Sequence, residues 1–212
     1  MPDSPRSTVK RVPKRGIYDR DQIYEIMDRH FLCHISFLHQ GAPVSIPTMF
    51  GRKENTLYIH GASVSRLITE LEKNPQVSVS IAEVTGLVLA RSAFHHSLNY
   101  ESVVIFGTAG LVEDEDEKIN ALHTISDNVL VGRWDEVRLP SAKEMKATKV
   151  IKISIDEASA KVRTGPPVDD KEDYELDIWA GVVPIEKKYS KPVDDPLLRN
   201  GVKRSNSLKT LY

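Results

Sequence analysis

The sequence predicts a mainly β chain with a few helices, closed or nearly closed into an antiparallel barrel. Three observations lead there. Apolar and polar residues alternate in short runs, as with Val77, Val79 and Ile81 against Gln76, Ser78 and Ser80, and a period of two is the mark of a half-buried strand. Turn residues such as Gln40-Gly41-Ala42-Pro43 and Lys53-Glu54-Asn55 punctuate these runs. The 212 residues, 40% hydrophobic and 28% charged, are enough for one substantial core and contain no internal repeat.

Residues 1–16 are rich in Pro, Ser, Lys and Arg, so burial cannot offset the entropy of ordering them and a loose arm is expected. The first helix should run from about Asp19 to Arg29. Asp19 and Gln22 stand at capping-box spacing, and Ile23, Ile26 and Met27 share one face. Cys33 to Leu38, Val44 to Phe50 and Thr56 to His60 read as three strands in meander order. From Ser65 the period changes: Leu67, Ile68 and Leu71 recur at helical spacing until Asn74-Pro75 ends the run. A strand through Val77 to Ile81 follows, then another from Tyr100 to Val112. Glu113 to Glu117 opens a helix carrying Ile119, Leu122, Ile125 and Val129, and its acidic run complements the helix dipole. Ser141 and Glu144 form a second capping box, and Val150 to Ile155 alternates as the last barrel strand. One domain, 17–185, is therefore expected, followed by an extended tail, 186–212, with little apolar periodicity.

Composition excludes several classes of function. A formal net charge of −1 lacks the electrostatic footprint of a nucleic-acid-binding protein. No apolar run approaches the roughly 20 residues that span a bilayer, and no hydrophobic stretch backs the basic N-terminus. The expectation is a cytoplasmic protein with no nucleic-acid or membrane partner. The single Cys33, in the run Phe31 to Leu38, reads as a buried inert thiol in a reducing compartment.

The chemistry-bearing residues cluster in three segments. In His60-Gly61-Ala62-Ser63-Val64-Ser65-Arg66 a strand hands over to a helix. Free backbone N–H groups, hydroxyls and a guanidinium converge there, as a phosphate dianion requires. The plainer reading is that Ser63 or Ser65 caps the helix and Arg66 is a solvated charge. In Ser45 to Met49, Pro47 cannot donate to a ladder, so this strand belongs at an edge, where a flat ring could lie. Leu89 to Gly107 joins a polar loop bearing His95 and His96 to an apolar strand without a Gly or Pro break. Adjacent strand residues point to opposite faces, so this pair is not expected to hold a metal.

Together, Ser45 to Gly51, Leu57 to Leu67 and above all Arg91 to Gly107 resemble the FMN-binding split-barrel proteins related to pyridoxamine 5'-phosphate oxidase. The nearest branch is that of the 5-nitroimidazole reductases, and the likeness spans about Gly16 to Pro184. The resemblance implies an antiparallel split β-barrel and a homodimer with FMN at the subunit interface. The activity it implies is an oxidoreductase passing electrons from NAD(P)H through FMN to a small-molecule acceptor.

The same resemblance assigns residues. The FMN phosphate falls to Ser63, Ser65 and Arg66, with His60, Gly61, Ala62 and Leu67 of the same junction as further cofactor contacts, and the ring to Ile46, Pro47, Thr48 and Met49, although Ile46 and Met49 equally suit a barrel wall. Arg91, His95, Ser97, Tyr100 and Ser102 belong to a segment that closes over the flavin, in part from the second subunit. Trp179, within Asp177 to Pro184, would cover the flavin's dimethylbenzene edge or seal the barrel base. His34 and His95 are the catalytic candidates, as proton donors, with His34 equally readable as a hydrogen-bonded strand histidine. His30, His39 and His123 read as surface or helix-end residues. One departure stands out: relatives commonly carry Arg where this chain has Glu101. Oxidation of vitamin B6 is not expected, because the sequence shows no second basic cluster for that substrate's phosphate. Two alternatives stay open: a flavin-binding module without turnover, and a haem protein with His60 or His95 as axial ligand.

Overall fold

The computed structural model describes residues 4–212. Strand β1 (Gly16–Ile17) leads into helix α1 (Arg20–Asp28), whose N-cap Asp19 accepts from the Gln22 N–H. Such a cap is worth about 1 kcal/mol. Ile23, Ile26 and Met27 are all buried on one face, as their spacing requires. β2 (Leu32–His39) and β3 (Ala42–Met49) form a hairpin, turned by Gln40 and Gly41 with φ of 51° and 79°. A second hairpin joins β4 (Gly51–Lys53) to β5 (Thr56–Ala62), and α2 (Arg66–Lys73) follows. The long strands β6 (Gln76–Leu89) and β7 (Ser97–Leu111) pair along almost their full length, with a register shift between Val84 and Gly86. Then come α3 (Glu115–Val129), α4 (Ala142–Ala147), β8 (Thr148–Ser154), β9 (Glu157–Arg163) and β10 (Gly181–Pro184). Asp114 caps α3, and Ser141 with Glu144 makes a full capping box on α4.

Every strand pairing is antiparallel, and the order β3-β2-β6-β7-β8-β5-β4 runs through the sheet. Off this path, β10 pairs with β6 and β9 bridges β7 and β1. β7 lies in both branches: Tyr100 to Phe106 pair with β9, and Ala109 to Leu111 with β8. At the parting point, a Cβ on Gly107 would lie 2.0 Å from the Ser154 carbonyl oxygen, so only glycine lets the branches approach there. This is the expected split barrel, with two corrections. The three early strands are not a meander: β5 pairs with β4 and with β8, nearly a hundred residues on, not with β3. β8 is not the last strand, since β9 and β10 follow.

The barrel interior is filled by alternate residues of each strand. Ile35 and Phe37, Leu57 and Ile59, Val79 and Ile81, Val103 and Ile105, and Ile151 and Ile153 are all buried. Leu67, Ile68 and Leu71 of α2 plug one opening. Each such side chain contributes about 1.5–3 kcal/mol by leaving water. Cys33 is fully buried, and burial pushes its thiol up to about 12, so it is inert. The segment before β1 is tied down by Arg6, which pairs with Glu157 at 2.8 Å, lies over the Phe106 ring, and precedes the buried Ser7. Among the described residues, no helix is long and apolar enough to cross a membrane.

Candidate functional site

β5 and α2 place the first group of residues. Leu57 and Ile59 point into the barrel, so Tyr58 and His60 must point out, towards α3. His60 is half-buried and its Nδ1 is enclosed without a hydrogen-bond partner among the described residues. Burial pushes its pKa down, which leaves a neutral ring with a free lone pair at pH 7. The ring lines an apolar cavity of about 410 Å³ between β5, α3 and the loop after it, walled by Met49, Leu122, Ile125, Val129, Trp134 and Pro140. A second cavity of about 410 Å³ shares His60, Leu122, Trp134 and Pro140, and reaches Arg138 and Glu144. His123 stacks on Trp134 with ring centroids 5.4 Å apart. Sequence reasoning missed this wall; the helical spacing of Leu122, Ile125 and Val129 was its only signal.

A few residues on, the chain turns into α2. Ser65 occupies the N-cap position, yet its side chain does not cap the helix, and its Oγ is another buried polar atom without a partner among the described residues. The capping alternative therefore fails for Ser65. Ser63 N–H donates to the Ala147 carbonyl at 3.0 Å and Ser65 N–H to that of Ala62 at 2.9 Å, which fixes the turn. Arg66 is exposed and forms no ion pair among the described residues. A Cβ on Gly61 would come within 3.2 Å of Ser65 Oγ and 3.1 Å of Ile68, so the glycine opens room beside that hydroxyl. Leu67 is buried in the core, and Ala62 is exposed.

β3 is an edge strand, as Pro47 requires. Pro47 and Met49 are exposed on its outer face, while Thr48 is half-buried and Ile46 packs on the core. His34 faces outward opposite Pro47 and Ser80, and Leu32 pairs with Met49.

The third group is organised by a residue that sequence reasoning missed. Asp169, 7% exposed, accepts from the Arg91 and Ser92 backbone N–H groups and from the Arg91 guanidinium. Burial opposes its ionisation, but these bonds hold its carboxyl below the usual range. No motif signals Asp169. The loop it supports forms a short 3₁₀ turn, Ala93–His95, so His95 and His96 are not on a strand. His95 also has a carboxylate nearby: Asp170 lies 3.2 Å from its Nε2, supplied from 75 residues downstream. His95, Ser97 and Tyr100 line a cavity of about 540 Å³ together with Arg11, Arg15, Lys161 and Arg163. The chain thus does possess the further basic cluster that the sequence concealed. Ser102 lies in the ladder, donating to the Lys161 carbonyl at 3.2 Å, and Trp179 is 67% exposed beside Gly181.

Glu101 is accounted for within the chain. It takes the Arg29 guanidinium at 2.6 Å and His30 Nε2 at 2.9 Å, while His30 Nδ1 lies 3.3 Å from Glu83. Burial raises the Glu101 pKa, but the bonds from Arg29 and His30 pull it below its ordinary value. His30, 7% exposed, stands at the end of α1, as one of the two sequence readings had it, but it is a buried clamp between that helix and the sheet and not a surface residue.

Comparison with known proteins agrees with this architecture. A family model described as pyridoxamine 5'-phosphate oxidase matches residues 19–162. No curated protein matches the chain. Among solved structures, the chain is similar to the flavocytochrome Anf3 from Azotobacter vinelandii, with 38% identity over 99% of this chain and 97% of that one, and a TM-score of 0.92. It is similar also to an FAD and haem binding protein from Mycobacterium smegmatis, with 31% identity over 93% and 97% of the two chains and a TM-score of 0.88. A putative 5-nitroimidazole antibiotic resistance protein from Bacteroides thetaiotaomicron shares 25% identity over 69% and 87%, with a TM-score of 0.57. The antiparallel split barrel, the edge strand carrying Pro47 and the match over residues 19–162 place this chain in the pyridoxamine 5'-phosphate oxidase family.

Proposed function

We propose that this protein is a flavin- and haem-binding oxidoreductase that works as a homodimer. The observation that carries the reading is a pair of enclosed, partnerless polar atoms flanking one short turn, His60 Nδ1 and Ser65 Oγ. Such atoms cost free energy unless something binds them, which supports a bound group at each of these two.

His60 offers a neutral imidazole to an apolar cavity, the setting a haem iron and its macrocycle require. His95 is the weaker axial candidate, since its ring already meets Asp170. Ser63, Ser65 and Arg66, with the unpaired N–H groups of the first turn of α2, suit a flavin phosphate. A cradle for one phosphate favours FMN. The likeness to a flavocytochrome and to an FAD and haem binding protein supports both cofactor classes.

When bound, the flavin would supply hydride chemistry with a reduced nicotinamide, and the haem one-electron chemistry towards a small acceptor. This chain's own residues bind, orient and exclude water. Leu122, Ile125 and Trp134 keep the His60 cavity apolar, and His34, on the outer face of β2, is available to hold a proton. Leu32, Met49, Val84 and Val104 are exposed large apolar side chains on neighbouring strands, and a second copy of the chain would bury them.

The test is the visible spectrum of the protein as purified and after reconstitution with haem and flavin. A Soret band lost in His60→Ala with flavin bands kept, and the converse in Ser65→Ala/Arg66→Ala, would support the assignment. Wild-type protein that retains neither cofactor would overturn it.

A further inference from the structure

The cavity of about 540 Å³ between the N-terminal segment, the 3₁₀ turn Ala93–His95 and β9 lies apart from both His60 and Ser65. Its charged lining has one sign. Arg11, Arg15, Lys161 and Arg163 all reach it, and no Asp or Glu lines it among the described residues. None of the four forms an ion pair there. Arg163 is 6% exposed, and its guanidinium meets only neutral acceptors: Asn99 Oδ1 and the carbonyls of Gly165 and Pro166. Burial, and then Arg15, push its pKa down. A buried cation with no counter-charge among the described residues, sharing the wall of one cavity with a second cation, is an expensive arrangement that an anionic ligand would relieve.

We propose that this cavity binds the diphosphate of a nucleotide. A single phosphate dianion would neutralise two of the four cations, whereas a diphosphate matches the set more fully. The rest of the lining suits a nucleotide's flat rings. Phe94 is 88% exposed at the rim, Val168 is 70% exposed, and Tyr100 lies within. The dinucleotide that carries this chemistry and leaves a flavin phosphate at Ser65 and Arg66 is the nicotinamide donor; FAD, whose diphosphate includes the flavin's own phosphate, would bind here only in place of that cradle. The inference does not depend on the flavin and haem reading.

Calorimetric titration of the purified full-length protein with inorganic pyrophosphate, ADP, NADPH and FAD tests it, with monophosphate as comparison. Arg15→Gln/Lys161→Gln removes two cations at half-exposed positions and spares Arg163, whose replacement could unfold the loop around Gly165. Pyrophosphate and ADP should bind wild type more tightly than monophosphate does, with affinity falling at higher salt and at least tenfold in the double variant. If NADPH weakens while retained flavin is unchanged, the site serves the donor. If FAD retention falls while FMN retention holds, the site serves FAD's diphosphate and the phosphate role given to Ser65 and Arg66 falls. Equal binding by wild type and variant, or no binding of any diphosphate, would overturn the proposal. A protein lacking flavin and haem bands but binding ADP through these residues would sink the earlier reading and leave this one standing.

Discussion

Asp169 holds the backbone N–H of Arg91 with both carboxylate oxygens, at 3.0 and 3.1 Å, across 78 residues of sequence. It thereby fastens the chain after β9 to the loop that opens β7. Asp169→Asn keeps the shape but replaces one acceptor with a donor facing N–H groups. Thermal denaturation should show a lower Tm, and amide exchange should speed up across residues 91–97. Unchanged exchange in that loop would show that Asp169 does not fasten it.

His60 makes folding pH-dependent. Its pKa is lowered in the folded state, so between the unfolded value of about 6.5 and the folded value the unfolded chain binds more protons. Stability without cofactors should be complete above that window and fall as pH drops through it. Urea midpoints at pH 7.5 and 5.5 should differ more for wild type than for His60→Leu. Equal differences would mean that the ring is not protected from protonation.

Ser65→Ala separates a helix cap from a ligand contact. Because Ser65 Oγ bonds nothing among the described residues, cofactor-free stability should change by less than about 0.5 kcal/mol, against about 1 kcal/mol for loss of a working cap. Flavin retention should fall severalfold. Denaturant titration of the cofactor-free protein checks the first number and a flavin titration the second.

Gly107→Ala should be far more damaging than its size suggests. The new methyl would overlap the Ser154 carbonyl, and backbone atoms there belong to a sheet that cannot yield locally. A loss of about 3 kcal/mol or more is expected, or insoluble protein. A soluble variant of wild-type Tm would mean that the two branches tolerate separation.

Glu136, with Arg133 beside it on Ser205, anchors residues 205–207 of the C-terminal segment. Glu136 accepts from Ser205 Oγ at 2.5 Å, Asn206 N–H at 2.7 Å and Ser207 Oγ at 2.6 Å, and the Ser205 and Ser207 hydroxyls hold its pKa down at about 2. A depressed carboxylate stabilises fully above its unfolded pKa, and that contribution fades as pH falls towards the folded value. Exchange protection across 205–211 should therefore persist at pH 6 and decline between about pH 4.5 and 2. Glu136→Gln should remove it at all pH values.

Local chemistry was legible in the sequence and long-range pairing was not. Asp19 with Gln22 and Ser141 with Glu144 marked helix starts because capping acts over three residues. The Gln40-Gly41 turn was readable for the same reason. β6 was read too short because the irregularity at Val84 to Gly86 breaks its alternation. β9 was missed because Glu157-Ala-Ser-Ala-Lys-Val-Arg has mostly small residues of low strand propensity, buried by context. Ser65 and His60 were readable as candidates at a strand-to-helix turn. The basic cavity was not, since Arg11 and Arg15 meet Lys161 and Arg163 only through the pairing of β1 with β9.

His60 and Ser65 stand at the two ends of a span too short to stretch beyond roughly 18 Å. Groups bound at the two ends would lie no farther apart than that, partly inside the protein, where salt screens charge less than it does in water. Occupancy of one end would then change affinity at the other by a coupling free energy equal in both directions. A dissociation constant measured at either end would have no single value until the state of its neighbour was specified.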